Sequence, residues 1–588
     1  MHYQNLQKTV FYDQIEDMAK QVQSGDTVAI GGLWFIRLPM AMIDALIQQN
    51  VRDLTVVTQA GGLAVEQLIA AGMVKKVIFS FLSLDLFGLS PLFRNAAQKG
   101  EIEYEEWTAL QMNTALEAAR LGLEVGVLQP PEGSVFDQES AYYRRIASPF
   151  GGKDVGVVRA LVPDVVLIHA GQADEDGNIA ISGAQGIDRS LIGAAKKTFV
   201  TVEEIVSRGN FTKDTRATVF PRFLVNGICA VKYGAYPCSC LPYYATDYPH
   251  LQQVIGAFGE TGKYENLRLK DRPEQRDVRL KAVQALANVS VDAFAKKVKA
   301  QPNVSTESHT VHELMACLMA AELEDNMVST VGSNTPLSMV AYLLAKKTHA
   351  PNLTVTPFCG LTDIPVMPLT LSLMESFCYQ SAVTHWSIED LWQWIYQKSL
   401  TAVEFGGAAQ IDASGNINNS EIRDADGRCK VRLPGQAGLA DILNLHHNAY
   451  YYITSHDKRR IVEQVSYQGG KHQYVSDEQR EKQGLPPGKM KIITNLCVME
   501  LNKQTKQLVV THIHPGVEKT EILEQTGFPI TFSSDLKTSA LPTKEQLRLI
   551  RAEIDPFEMR KMEFLSGEER LAFIADILAL ETRWMEME

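Results

Sequence analysis

The sequence predicts an α/β protein built as two tandem halves, each a mostly parallel sheet wrapped by helices. Three observations carry this. Short β-branched runs alternate with helix-spaced segments along the chain, the pattern of strand–helix–strand units. Runs such as VVLIHA at 165–170 and KTFVTV at 197–202 put apolar residues on both faces, as parallel strands covered on both sides require. Four elements of the first half also recur in the same order in the second, as an internal duplication would leave.

The first pair is VAIGGLWFIRLP at 28–39 and VSTVGSNTP at 328–336, offset by about 300 residues between Gly32 and Gly332. Each is a β-type run, a glycine, a proline-bearing turn and then an apolar helix-like segment. After the first of them, MAMIDALIQQ at 40–49 has helical spacing. The second pair is DLTVVTQAGG from Asp53 and NLTVTPFCG from Asn352. The third shares Asp-x-x-Gly-Asn, from Asp174 to Asn178 and from Asp412 to Asn416. Here the offset falls to about 240, so the first half carries about 60 extra residues before this element. The last pair is FVTVEEIV from Phe199 and YITSHDKRRIVEQV from Tyr452, each a strand followed by a charged turn. The expected domains are 1–300 and 306–588, with a polar, charged stretch at 262–305 reading as helix plus linker.

Composition narrows the function classes. The 588 residues are 45% hydrophobic and 21% charged, as in ordinary soluble proteins. A net charge of −12 argues against a general nucleic-acid binder, but leaves room for an anionic ligand held by a local basic cluster. Eight irregularly spaced cysteines suit a reducing compartment. The start has no basic region followed by an apolar core, and no run reaches 18 apolar residues. The expectation is a cytoplasmic protein with no nucleic-acid or membrane partner.

In parallel sheets, ligands bind beyond the carboxyl ends of the strands. The loops after Ile30, Thr58, Val331 and Val355 are therefore where chemistry is sought.

These residues carry a resemblance. GGLWFIRLP, DLTVVTQAGG, VKKVIFSFLSLD, GEIEYEEW and PDVVLIHAGQADEDGN resemble the α subunit of family I CoA-transferases of the glutaconate type. VGSNTP, the CGL at Cys359, EFGGAAQIDASGNIN, RLPGQAGLAD, HDKRRIVEQV, GLPPG, TGF and IRAEIDP resemble the β subunit. The resemblance covers nearly the whole chain and implies two fused CoA-transferase-type domains. It also implies an acyl-CoA site between the halves, with coenzyme A entering as the acyl-CoA substrate. VKKVIFSFLSLD and GEIEYEEW look closest to a branch that includes CoA-dependent ring-opening hydrolases; a related branch decarboxylates glutaconyl-type CoA esters.

In the family, a β-subunit glutamate attacks the thioester, gives an anhydride and then carries CoA as a glutamyl thioester. Anchored on Gly360, the matching position here is Phe358, which cannot take that step. Cys359 beside it is either a thiol that replaces the carboxylate or a small buried hydrophobe. Glu106 is read as a general base on a helix beside the site, or as part of a solvated acidic helix face. The hydrolase branch's own glutamate aligns with Ala109. Gly31 and Gly32 offer backbone N–H groups for an oxyanion hole, or simply form a tight turn. Phe358 and Gly360 complete the expected substrate-binding set. Gly435, Gln436 and Gly438 resemble the family's CoA-binding loop, and Gly406 and Gly407, read as preceding a strand, would let pantetheine pass close to backbone. For each of these the alternative is a turn.

Arg432, Lys458, Arg459 and Arg460 are candidates for the CoA phosphates, or a solvated charge run. His385 and Trp386 are weighed as acid–base and stacking groups, with core packing favoured. Neither the Cys238, Cys240 pair nor the His512, His514 pair has a matching second pair, so no metal is expected.

The leading reading is an acyl-CoA-processing enzyme using a glutamate-independent reaction, such as hydrolytic C–C cleavage or decarboxylation of a CoA-bound acid. The alternatives are a CoA-transferase between carboxylic acids with a relocated nucleophile, and a catalytically dead acyl-CoA-binding protein. The partners expected are an acyl-CoA, a small carboxylic acid and a second copy of the chain.

Overall fold

The computed structural model describes residues 8–212, 217–299, 304–332, 335–357, 360–471, 477–482, 484–485 and 487–586. The chain forms two compact units. The first comprises Met1–Leu128, Val157–Val289 and His385–Leu391; the second comprises Gln129–Gly156, Ser290–Thr384 and Trp392–Glu588.

The first unit is built on β1 (Val10–Tyr12), β2 (Thr27–Ile30), β3 (Leu54–Gly61), β4 (Val74–Leu82), β5 (Glu103–Glu106), β6 (Val165–Asp174), β7 (Lys197–Val206) and β8 (Gly227–Ala230). Their order across the sheet is β1-β8-β7-β6-β2-β3-β4-β5. Every neighbouring pair on this path is parallel. All ten residues of β6 are buried, which is why it reads as a run of apolar and small residues rather than an alternation. The helices that matter for the site are α1 (Met40–Gln49), α2 (Ala109–Arg120) and α3 (Asp188–Ala194). α2 starts where it does because Thr108 and Gln111 exchange side-chain and backbone hydrogen bonds in a capping box. The core joins Val28, Ile43, Val56, Val77 and Leu167.

The segment His385–Leu391 belongs to this unit through specific bonds. Arg189 pairs with Asp390 at 2.9 Å, and Ser190 N–H donates to Glu389 at 3.0 Å. Burial raises the pKa of Glu389.

The second unit has β9 (Val328–Thr330), β10 (Thr354–Thr356), β11 (Val403–Gly407), β12 (Asn448–Ile453), β13 (Met490–Thr494), β14 (Cys497–Leu501), β15 (Leu508–Ile513) and β16 (Thr531–Thr538). They lie in the order β10-β9-β11-β12-β13-β14-β15-β16. The first five are parallel, β14 runs antiparallel to β13 and β15, and β16 is parallel to β15. Its helices include α4 (Val311–Ala320), α5 (Pro336–Lys347) and α6 (Leu439–Leu445). Residues from the first half join this unit: Gln129 N–H donates to Gln397 Oε1 at 2.9 Å, and Val135 N–H to the Gln468 carbonyl at 3.0 Å.

The duplication is visible as a shared strand order. β3-β2-β6-β7-β8 of the first unit and β10-β9-β11-β12-β13 of the second follow the same sequence of elements. The repeated Asp-x-x-Gly-Asn is one turn made twice. Asp174 Oδ1 accepts the N–H groups of Asp176 and Asn178, while Asn178 Nδ2 donates to Asp174 Oδ2 at 2.8 Å. Asp412 does the same with Ser414 and Asn416, the amide bond being 2.9 Å. Gly177 and Gly415 take φ of +98° and +75°, which the turn requires and glycine accepts without strain. Most of the extra length of the first half goes into β4, β5 and α2, which widen its sheet at the β3 edge.

Candidate active site

At the carboxyl end of β2 the chain turns sharply. Gly31 N–H donates to the Leu167 carbonyl at 2.9 Å, and Gly32 N–H to Asp188 Oδ1 at 2.8 Å. A Cβ on Gly31 would lie 2.3 Å from the Ile168 side chain, so glycine here permits close approach to β6. Both amides expected in an oxyanion hole are thus engaged inside the unit. Asp188, the first residue of α3, also pairs with Arg37 at 2.8 Å, and both side chains are fully buried. Arg37 Nη2 further donates to the Ala184 carbonyl at 2.7 Å.

Beside this turn, His169 on β6 bonds Thr201 at 2.9 Å through Nδ1 and Glu203 at 2.8 Å through Nε2. Glu203 also accepts from the Tyr244 hydroxyl and from the N–H groups of Tyr233 and Gly234. Burial works to raise the Glu203 pKa, but the bonds from His169, Tyr244 and the Tyr233 amide hold it below the usual value. Cys240 joins His169 and Glu203 in a buried group whose ligand atoms lie within 4.8 Å of one another. Both imidazole nitrogens are already used, so the group stands as a hydrogen-bond network. Sequence reasoning missed it because His169 and Glu203 meet only across neighbouring strands.

Glu106 lies at the end of β5, not on a helix, because the helix begins only at Ala109. Its side chain is buried, so the solvated acidic helix face is not what forms here.

In the second unit the carboxyl ends of β9 and β11 bring together Thr330 and Glu404. The Thr330 hydroxyl donates to Glu404 Oε2 at 2.5 Å, and the Tyr396 hydroxyl lies 3.3 Å from the same oxygen. Burial pushes the pKa of this half-buried carboxyl up, against the opposing pull of those two donors. A Cβ on Gly332 would come within 3.4 Å of Glu404 Oε1, so the turn after β9 closes over it. Glu404 stands in the EFGG motif, where attention to the glycines hid the acid.

Gly406 and Gly407 end β11 rather than preceding a strand. Gly406 faces the Tyr451 ring and Leu439, whereas Gly407 is exposed, and a Cβ there would meet nothing nearer than Tyr452 Oη at 4.0 Å. Gly435, Gln436 and Gly438 form the turn into α6. Gly435 N–H donates to the Asn419 carbonyl at 2.9 Å, Gln436 is buried against Gly469, and Gly438 lies under the Trp392 ring. Gly360 is buried, and its carbonyl accepts from Thr362 at 3.3 Å. Phe358 and Cys359 lie outside the described residues.

Of the phosphate candidates, Arg432 is buried and paired with Glu421 at 3.5 Å, a structural role. Arg459 is exposed and pairs with Asp457, Lys458 is exposed, and burial lowers the pKa of Arg460. His514 is buried between Ser539 and the Thr494 carbonyl, each at 2.8 Å. His385 and Trp386 are half-buried in the first unit.

One further carboxyl sits near the carboxyl end of β12. Glu563 accepts the Leu337 N–H at the start of α5 at 2.7 Å and the Tyr452 hydroxyl. Burial lifts its pKa to about 7, with the Tyr452 and Leu337 donors and Arg570 pulling the other way.

Two duplicated α/β units, with chemistry-bearing side chains at the carboxyl ends of their parallel strands, define a tandem transferase-type architecture. The family model for Coenzyme A transferase matches residues 12–230 and 312–525, and the chain belongs to that family. Its first half is similar to the A component of the 3-oxoadipate CoA-transferase of Pseudomonas knackmussii, 31% identical over 235 residues, 40% of this chain and 82% of that one. The B component of the same enzyme is 31% identical over 252 residues, 42% of this chain and 93% of that one. The chain therefore fuses an α-like and a β-like CoA-transferase domain. The Cholesterol ring-cleaving hydrolase IpdA subunit of Rhodococcus jostii is 33% identical over 232 residues, 38% of this chain and 78% of its own. An acyl-CoA transferase from Escherichia coli O157:H7, solved as a thioester complex with CoA, shares the fold with a TM-score of 0.64 at 14% identity, over 92% of this chain and 96% of that one. The chain spans about half, 54%, of an uncharacterized Archaeoglobus fulgidus protein to which it is 32% identical over 244 residues, 41% of this chain. Among the described residues no helix is long and apolar enough to cross a membrane.

Proposed function

We propose that this protein processes an acyl-CoA thioester without a glutamyl-thioester intermediate, by hydrolytic C–C cleavage or decarboxylation of the CoA-bound acid. The observation that carries the reading is Glu404: a half-buried carboxyl with a raised pKa at the carboxyl ends of β9 and β11. Phenylalanine at 358, where the family's nucleophilic glutamate aligns, supports it, as does similarity to a ring-cleaving hydrolase subunit. Coenzyme A is substrate in this reading, and Gly407 is the place where pantetheine passes closest to backbone. Cys359 and Glu106 remain candidates for shaping or activating the acyl group.

A carboxyl whose pKa is lifted toward neutrality exchanges its proton in both directions. In hydrolytic cleavage, Glu404 takes a proton from water as hydroxide adds to a ketone carbon of the acyl group. The C–C bond to the neighbouring α-carbon then breaks, and Glu404 returns the proton to that carbon. The products are a carboxylic acid and a shortened or ring-opened acyl-CoA, with Glu404 unchanged.

The second reading is CoA transfer with Glu404 as the relocated nucleophile, favoured by the same carboxyl. The two separate in one experiment. The protein is incubated with acyl-CoA and a free acid, trapped with borohydride or hydroxylamine, and mapped by mass spectrometry. Ring-opened acid or CO₂ without an adduct supports the first reading; a CoA-dependent adduct on Glu404 overturns it in favour of transfer.

A further inference from the structure

The first unit holds a cavity of about 140 Å³ that the motifs above do not touch. It lies toward the carboxyl ends of β6 and β7, between Gly171 and Gln172 on one strand and Glu204 on the other. Its volume is close to that of an engineered protein cavity that accepts benzene, so it suits about six heavy atoms. Ala180, Ala217 and Pro242 give it apolar wall, and Ser182 and Thr212 add hydroxyls.

Its polar end is organised. Gln172 Nε2 donates to Glu204 Oε1 at 2.7 Å and lies 2.9 Å from Thr212 Oγ1, while Gln172 Oε1 accepts the Thr212 N–H at 2.9 Å. The Tyr243 hydroxyl donates to the same Glu204 oxygen at 2.7 Å. Burial and the Glu204 carboxylate raise the Tyr243 pKa, so the phenol stays a donor. Two donors thus fix Oε1 and orient the carboxylate. Among the described residues, Glu204 Oε2 has no hydrogen-bond partner. The Tyr243 ring covers Gly171 so closely that a Cβ there would lie 2.9 Å from Cε2.

An oriented carboxylate at the mouth of a small, mostly apolar pocket selects a hydrogen-bond donor and repels a second carboxylate. A neutral hydroxyl satisfies this with less desolvation than an ammonium group. We infer that this cavity receives the acyl chain of a hydroxyacyl-CoA, with Glu204 accepting the substrate hydroxyl and Tyr243 and Gln172 holding Glu204 in place. This rests on the acyl-CoA reading above and names its substrate class.

Calorimetric titration of the full chain with 3-hydroxybutyryl-CoA, butyryl-CoA and succinyl-CoA tests it. The expected result is hydroxyacyl binding about tenfold tighter than butyryl, as one hydrogen bond to a charged group provides, with succinyl weakest. Glu204→Ala abolishes the preference. Tyr243→Phe, which keeps the ring, reduces it. Butyryl-CoA binding as tightly as 3-hydroxybutyryl-CoA, or a preference that survives Glu204→Ala, overturns this inference alone. If none of the three esters binds, the acyl-CoA reading falls and this inference falls with it.

Discussion

Thr330 and Glu404 join the ends of two adjacent parallel strands, the Thr330 hydroxyl donating to Glu404 Oε2 at 2.5 Å. The bond favours the ionised carboxyl, while burial favours the neutral one and prevails. Glu404 is thereby placed among the groups able to move a proton near neutral pH.

Glu404→Gln removes that capacity. Turnover of an acyl-CoA substrate is expected to fall roughly 10²–10⁴-fold, the usual contribution of a general acid–base group, with the melting temperature nearly unchanged. Thr330→Val removes a donor that lowers the Glu404 pKa, so the inflection in kcat/KM assigned to Glu404 moves to higher pH. Steady-state rates across pH check both.

Glu563 makes stability depend on pH. Its folded pKa of about 7 stands above an ordinary carboxyl value of 4.5. Between these values the folded state holds a proton that the unfolded state has lost, so stability falls as pH rises through this window. The contribution is complete below the lower value, and its loss is on the order of 3 kcal/mol above the upper one. In Glu563→Gln this component is absent. Thermal melts at pH 5 and pH 8 should show the variant gaining on the wild type at pH 8.

Arg37 and Asp188 form a fully buried pair, so each charge depends on the other. Arg37→Leu or Asp188→Leu alone should cost about 3–5 kcal/mol, by leaving the partner uncompensated. The double Leu variant should be more stable than either single one. Urea unfolding of the three variants measures this coupling.

Two glycines of the expected CoA-binding set should behave differently. A Cβ at Gly438 would fall 1.7 Å from Trp392 Cη2, so Gly438→Ala should destabilise by about 1–3 kcal/mol through overpacking. Gly407→Ala meets nothing nearer than Tyr452 Oη at 4.0 Å and should leave the melting temperature unchanged. If pantetheine passes Gly407, the same variant weakens CoA-ester affinity in a calorimetric titration.

Local pattern carried much of the fold. The helix expected at 40–49 forms over Met40–Gln49, and the repeated Asp-x-x-Gly-Asn makes the same turn in both units. Strand β6 runs on past Ala170 to Asp174, because Gly171 and Gln172 continue a fully buried strand that an apolar-run criterion cuts short. The site was less legible. Glu106 looked helical because acidic residues precede a helix, yet the Thr108 cap starts that helix beyond it. Glu404, Glu203 and Glu563 carry no periodic signal; each acquires its character from partners that are distant in sequence and brought close by strand pairing or by the C-terminal segment. Arg432 shows the converse, a charge in a motif that the fold buries against Glu421.

The bond from Leu337 to Glu563 spans 226 residues, and Arg560 reaches back 247 residues to Glu313. Two early helices, α4 and α5, are therefore completed by groups translated much later. At ordinary synthesis rates of about 5–20 residues per second, the start of α5 waits roughly 11–45 seconds for Glu563. Over that interval its Leu337 amide must be served by water or by a chaperone. Closure of the second unit is thus a late event in the life of the nascent chain, and a ribosome that stalls before Glu563 leaves that unit open to proteolysis.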